Sequence, residues 1–232
     1  MRFSQSLTLA FLFLGLTAPV ARADMSFRAV TLEGAPLCRP TCPTLILAEG
    51  DITRGSAQAF IDFVRRQIPA RGRGLNNVVF VDSPGGSVIG SMSLGAVWRR
   101  LGTTVVVARP EVARAGWFSS ENTSAERVRA SRCYSACVYA LMGAKKRVIP
   151  DGSRVGVHQS HKIDFVRDPA NMAGSTRELT ASNEPTPALR AYAKVMGIDP
   201  ALIDLAQSTP PQEFRVLTTG EIRRFRLSNS KL

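Results

Sequence analysis

The sequence has only two histidines and four cysteines among 232 residues, and it has fewer acidic than basic residues. Thirty lysines and arginines stand against 18 aspartates and glutamates, which gives a formal net charge of +12. The basic residues are scattered in short groups, so we interpret the charge as a solvated surface that suits contact with an anionic envelope surface, and we do not predict nucleic-acid binding. No Gly-x-x-x-x-Gly-Lys-Ser/Thr segment is present, so nothing indicates ATP binding.

Long apolar runs are also missing, apart from a short one near the N-terminus. Arg2 precedes the apolar run Leu7–Leu16, and Ala21-Arg22-Ala23 has the small-x-small pattern of a cleavage site. This pattern predicts a signal peptide over residues 1–23 and a periplasmic or secreted protein. A membrane anchor is the weaker alternative, because a span needs about 20 apolar residues.

The four cysteines form two Cys-x-x-x-Cys pairs. An even number of cysteines in an exported chain favours disulfides, and of the three possible pairings we favour the local ones, Cys38–Cys42 and Cys133–Cys137. A zinc site is the rival interpretation, but no histidine lies near either pair. We therefore expect neither a metal nor another cofactor.

Predicted strands and helices alternate along the chain. Thr44–Ile52, Val78–Val81 and Thr104–Ala108 read as strands, and Val88–Leu101 and Ala136–Met142 as helices. This order predicts an α/β class with parallel pairing in a single domain over residues 24–232. Two polar stretches, near 109–132 and 161–183, interrupt the pattern and read as insertions, the first long enough for a lid.

A double glycine follows the second predicted strand and precedes a helix. Gly85-Gly86 would let the backbone turn sharply and present N–H groups to an oxyanion, although a purely structural turn is the alternative. Ser135 lies at the start of an apolar helix, where it is either a helix cap or a nucleophile with a remote base. The adjacent Ala136 N–H would be a second oxyanion donor.

His158 follows the strand around Val155 and is the base that we predict for Ser135. Only a neutral imidazole accepts the proton of a serine near pH 7. The other histidine, His161, lies in the second polar stretch, and we expect it to be solvated.

Together these segments resemble the ClpP/crotonase superfamily, specifically its ClpP-like serine peptidase branch. The residues that carry the resemblance are Asp82–Val88, Ser135-Ala136 with the following apolar helix, and Ser153–Gln159. The similarity extends over most of residues 44–227. Two cysteines around the serine, together with an export signal, look most like the periplasmic ClpP-like proteins.

The resemblance implies a spiral of ββα units with stacked, mostly parallel sheets, an oligomer, and a peptide or protein substrate. It makes Ser135 the nucleophile and His158 the base, with the Gly85-Gly86 turn and Ala136 supplying the oxyanion donors. The third catalytic position departs from the family, because Phe214 stands where the family has an aspartate. Acidic residues nearby are Glu213, Asp204 and Asp199.

Several functional hypotheses remain open at this point. The first is an exported serine hydrolase, most plausibly a peptidase, that works by acyl transfer. The second is a catalytically inactive module of the same fold that binds a peptide or an envelope partner. A serine–lysine dyad with Lys162 as base is a variant of the first, and export disfavours the acyl-CoA chemistry of the superfamily.

Overall fold

The computed structural model describes residues 24–31, 43–71, 75–110, 128–167 and 175–230. The predicted signal peptide, Cys38 and Cys42 lie outside these ranges. Within them, no helix is long and apolar enough to cross a membrane.

The described chain alternates strands and helices, as the sequence predicts. The strands are β1 (Ser26–Thr31), β2 (Thr44–Glu49), β3 (Leu75–Asp82), β4 (Thr104–Val106), β5 (Ala108–Pro110), β6 (Val128–Ala130), β7 (Arg132–Tyr134), β8 (Lys146–Val148), β9 (Arg154–Val157), β10 (His161–Arg167), β11 (Ser175–Ala181) and β12 (Arg215–Val216). The helices are α1 (Ser56–Arg71), α2 (Val88–Leu101), α3 (Ala136–Gly143), α4 (Thr186–Met196), α5 (Ala201–Gln207) and α6 (Thr219–Arg224).

The largest sheet has the strand order β1-β2-β3-β4-β8. All pairs in it are parallel except β1 with β2. The apolar run in β3 is buried on both faces: Val79 and Val81 belong to the main core cluster, whereas Phe80 belongs to a second cluster. This burial explains why the run is continuous rather than alternating. The mixed α/β fold with mostly parallel sheets is therefore confirmed.

A three-stranded sheet with the order β12-β9-β7 continues from the end of β3. Strands β7 and β9 are parallel, and β12 pairs antiparallel with β9. Ser83, just past β3, bridges to β7: its N–H donates to the Arg132 carbonyl at 2.9 Å, and its carbonyl accepts from the Tyr134 N–H at 3.0 Å. The carboxyl ends of β3, β7 and β9 therefore lie side by side, where parallel sheets commonly place their functional residues.

Helices α2 and α3 pack in direct backbone contact through two glycines. A Cβ on Gly143 would lie 2.2 Å from the Gly95 carbonyl oxygen, so no larger residue fits there without a shift of the backbone. Every residue of α3 is buried. The helix that follows Ser135 is thus anchored in the core.

The two polar stretches contain β-hairpins. Strand β5 pairs with β6 on either side of residues 111–127, which lie outside the described ranges. Strands β10 and β11 pair antiparallel from His161 with Ala181 to Arg167 with Ser175. The sequence predicted only a polar interruption in the second stretch. The regular pairing of β10 with β11 shows that this stretch contains two strands.

Candidate active site

Ser135 connects β7 to α3 in a backbone conformation that is rare for a residue with a side chain. Its φ is 54° and its ψ is −126°, which costs about 1–3 kcal/mol outside glycine. Two backbone bonds hold it: its N–H donates to the Gly156 carbonyl at 2.8 Å, and its carbonyl accepts from the Val138 N–H at 3.0 Å. The side chain makes no capping hydrogen bond, so the helix-cap interpretation fails.

The hydroxyl of Ser135 lies instead against the imidazole of His158. The distance between Ser135 Oγ and His158 Nε2 is 2.6 Å. His158 follows β9 directly and is only 6% exposed. The structure thus brings together the two residues that the sequence predicted as nucleophile and base.

A backbone carbonyl orients the His158 ring. The Pro211 carbonyl oxygen lies 2.9 Å from His158 Nδ1. A carbonyl only accepts hydrogen bonds, so Nδ1 carries the proton and Nε2 offers its lone pair to the Ser135 hydroxyl. Burial lowers the pKa of His158; the bond to Pro211 opposes this effect and the charge of His161 adds to it. Both effects that lower the pKa favour the neutral imidazole that a general base requires.

The acidic residues expected as the third member do not occupy that position. Glu213 is exposed, and no described carboxylate makes an ion pair with His158. Asp204 instead pairs with Arg190 at 2.6 Å, and Asp199 accepts from the Ala201 N–H at 2.9 Å.

The physical reason is the conformation of the turn from Pro210 to Glu213. This turn directs a backbone carbonyl at the His158 ring, and not the Glu213 carboxylate. The Glu213 N–H donates to the Pro210 carbonyl at 3.0 Å and closes the turn. The Gln159 N–H donates to the Thr209 carbonyl at 2.8 Å and holds the turn beside the end of β9. Pro211 therefore contacts His158 through its carbonyl, a group that no side-chain pattern in the sequence could indicate.

The first residue of the double glycine, Gly85, packs directly on Ser135, and the second, Gly86, packs on the backbone of Ile52. Gly85 and Gly86 have φ angles of 113° and 130°, a region that favours glycine. A Cβ on Gly85 would lie 2.7 Å from the Ser135 Cβ and 3.1 Å from the Ala136 nitrogen. Within the described chain, neither the Gly86 N–H nor the Ala136 N–H donates to a protein acceptor. Two free donors therefore stand near the serine hydroxyl.

Comparison with known proteins shows which solved structures have a similar fold. A scan against protein-family models gives no match, and a search of curated proteins gives none either. Among solved structures, a serine-to-alanine mutant of the 1510-N membrane-bound stomatin-specific protease is similar, with a TM-score of 0.50 and 14% identity over 80% of this chain and 77% of that one. A lysine-to-alanine mutant of that protease, in complex with a substrate peptide, matches with the same score and identity over 80% and 73%.

The chain has a ClpP-like serine protease fold. At 14% identity the similarity concerns the fold alone, so what the site does must be argued from its own residues. Among the described residues, no group of three histidines, cysteines, aspartates or glutamates is placed to hold a metal ion.

Phe214, which stands where the ClpP-like sequence pattern has an acid, makes an aromatic contact with His158, whereas the Pro211 carbonyl takes the hydrogen bond of Nδ1. The Phe214 ring centroid lies 4.6 Å from that of His158, and it stacks on Tyr134 at 5.2 Å. Phe214 thus covers one side of the base while 49% of its own surface remains exposed. The sequence showed which residue takes this position but not that its ring packs on the histidine.

The second histidine also belongs to the site. His161 begins β10, is partly buried, and lies with its ring centroid 5.6 Å from that of His158. His161 therefore keeps part of the solvent exposure that the sequence predicted, but it also lies beside His158, because the hairpin starts only three residues after that residue. Lys162 follows in the same strand, but its side chain lies outside the described part of the protein.

A disulfide brackets Ser135. Cys133 and Cys137 are joined, with their Cα atoms 5.2 Å apart, and both are fully buried. The bridge links the middle of β7 to the first turn of α3 and confirms the predicted local pairing of these two cysteines.

Proposed function

We propose that the protein is an exported serine hydrolase, most plausibly a peptidase, that works by acyl transfer. The observation that carries the proposal is the 2.6 Å contact between Ser135 Oγ and His158 Nε2, with the ring tautomer fixed by the Pro211 carbonyl. The ClpP-like fold supports a peptidase over other serine hydrolases.

In the proposed reaction, Ser135 Oγ attacks the carbonyl carbon of a peptide bond while His158 Nε2 takes the hydroxyl proton. The Gly86 and Ala136 N–H groups stabilise the oxyanion that forms. His158 then returns the proton to the leaving amine, and an acyl-serine remains. Water, deprotonated by His158, hydrolyses this ester and releases Ser135.

The Pro211 carbonyl holds the ring in its productive tautomer throughout, but it carries no charge. A carboxylate in this place would also stabilise the imidazolium that forms during the reaction. We therefore expect turnover below that of a full triad, with the serine still activated.

Export, the partners and the assembly belong to the same proposal. We propose cleavage after Ala23, a periplasmic or secreted location, a peptide or protein substrate, and a homo-oligomer. The disulfide around Ser135 supports an oxidising compartment.

Covalent labelling with a fluorophosphonate probe tests the proposed chemistry. We expect the purified protein to be labelled, and the label to be lost in Ser135→Ala. The matched control is Ser208→Ala, which removes an exposed hydroxyl after α5 and should label like the unmodified protein.

Absence of label on protein shown to be folded would contradict the hydrolase. The result would favour the second candidate function, a module that binds peptides through the same site. Two observations support that candidate: a neutral carbonyl orients His158, and Phe214 stands in the place of the acid.

A further inference from the structure

A cavity away from the serine is lined by arginines. It has a volume of about 430 Å³ and opens where the last turns of α2, α4 and α6 meet the C-terminal segment. Its described lining consists of Arg99, Arg147, Met196, Gly197, Arg223, Arg226, Ser228 and Asn229. Four of these eight residues are cationic and none is acidic.

The charge of this arginine cavity has no carboxylate partner in the described chain. No described aspartate or glutamate forms an ion pair with any of the four arginines, whereas Arg28, Arg109, Arg132, Arg190 and Arg215 each have at least one. Like charges that converge on one concave site repel each other and raise the local positive potential. A bound anion would relieve that repulsion.

Arg147 supplies a buried cation to the wall of the cavity. It is 3% exposed, and within the described chain its guanidinium donates only to backbone carbonyls: to Leu227 at 2.9 Å, to Ala144 at 2.9 Å, to Arg226 at 3.2 Å and, more weakly, to Met142 at 3.5 Å. Neutral acceptors satisfy its donors but leave its charge uncompensated. Burial, together with the charge of Arg99, lowers the pKa of Arg147 to about 10.

Arg226 has a left-handed backbone conformation that disfavours residues with a side chain. Its φ is 58°, and it follows the end of α6 at the position where a helix usually has glycine. The Leu227 N–H donates to the Ile222 carbonyl at 2.9 Å, as such a glycine-type helix end requires. An arginine here costs conformational energy, so the fold alone does not account for its side chain.

The helix dipole explains the positions of only two of the four arginines. Arg99 and Arg223 lie in the last turns of α2 and α6, where cations are favoured by the helix dipole. That effect explains neither Arg147, which lies in a strand, nor the convergence of all four on one cavity.

We propose that the arginine cavity binds a phosphate-bearing ligand. Guanidinium groups pair with phosphate oxygens in a bidentate manner, and exposed Arg223 and Arg226 stand at the cavity with partly buried Arg99. The volume exceeds that of inorganic phosphate and falls in the range of small-ligand pockets, so it has room for an organic group attached to the phosphate. This site is separate from Ser135 and does not depend on the proposed hydrolase.

Thermal unfolding in sodium phosphate and in sodium chloride of equal ionic strength tests the proposal. At ten times the half-saturating concentration, phosphate should raise the melting temperature by about 4 °C over chloride. Arg223→Gln and Arg226→Gly should lose this difference. Arg226→Gly suits the left-handed backbone and should remain folded in chloride, so its loss of response cannot be attributed to unfolding.

The matched control is Arg100→Gln, which removes the same charge from the exposed residue next to Arg99 and should keep the full response. Sedimentation with phosphatidylglycerol vesicles, compared with phosphatidylcholine vesicles, distinguishes a lipid headgroup from a free phosphate compound. Binding to the first vesicles that Arg223→Gln abolishes would identify a headgroup. An equal phosphate response in all variants, or none in the unmodified protein, would overturn the proposal.

Discussion

The imidazole of His158 is held between a hydroxyl and a backbone carbonyl, and no charge is needed to fix its tautomer. In a triad, a carboxylate sets the tautomer and stabilises the imidazolium. Here the Pro211 carbonyl performs only the first of these tasks. The site thus orients the His158 ring without placing a negative charge beside it. The pH dependence of the site is therefore informative about His158.

We predict that the rate of Ser135 labelling rises with pH and reaches half its maximum below pH 6.5. The reason is that burial and the charge of His161 lower the pKa of His158 from 6.5, so the reactive neutral ring persists to lower pH. His161→Gln should move the midpoint upward, since it removes one of the effects that lower the pKa. A midpoint at or above 6.5 in the unmodified protein would contradict this assignment of the base.

The contact between Ser135 and His158 was predictable from the sequence, but the group that orients the His158 ring was not. Ser135 and His158 are chemically distinct and stand in a family-like order with the double glycine. Pro211 acts through a carbonyl, which every residue carries, and only the geometry of the turn after Thr209 selects it. An acid usually orients such a base, and Glu213 is the acid next to the expected position in the sequence.

At the scale of elements, strong local patterns located most of the structure. Helix α2 has the predicted bounds, Val88–Leu101, because Ser87 caps its start and Gly102 ends it in a left-handed conformation. The β10–β11 hairpin was missed because its composition is polar. Ile163 and Phe165 alternate with polar residues, a period-two signal that could have revealed the first strand.

The disulfide between β7 and α3 should stabilise both the fold and the reactive serine. We predict that the double variant Cys133→Ala, Cys137→Ala lowers the free energy of unfolding by about 2 kcal/mol, the chain-entropy value for so short a loop. Ser135 labelling should also slow, because the disulfide joins the residues on either side of Ser135, and without it the unusual backbone at φ 54° is less constrained. Urea unfolding and labelling kinetics measure the two effects. Unchanged values in both would show that the bridge is dispensable.

At the scale of the whole molecule, residues far apart in the sequence come together in two places: at the candidate site and along β8. The site collects Gly85, Ser135, His158 and Pro211, which come from segments spread over more than half of the chain. Away from it, the C-terminal segment lies along β8: the Arg147 N–H donates to Asn229 Oδ1 at 2.7 Å. These long-range contacts suggest that the site forms only when the whole domain folds.

Arg147 links several parts of this long-range packing, and we predict that Arg147→Met destabilises the protein by about 3 kcal/mol. Methionine matches the length of the aliphatic stem but leaves the carbonyls of Leu227, Ala144 and Arg226 without their donor, at about 1–3 kcal/mol for each buried acceptor. Relief of the buried charge offsets part of this cost but does not replace the three bonds. Urea unfolding measures the change, with Arg66→Met on the exposed face of α1 as the matched control, expected within about 0.5 kcal/mol of the unmodified protein. Equal midpoints for the two variants would show that the carbonyls find other donors and that the C-terminal segment is not held through Arg147.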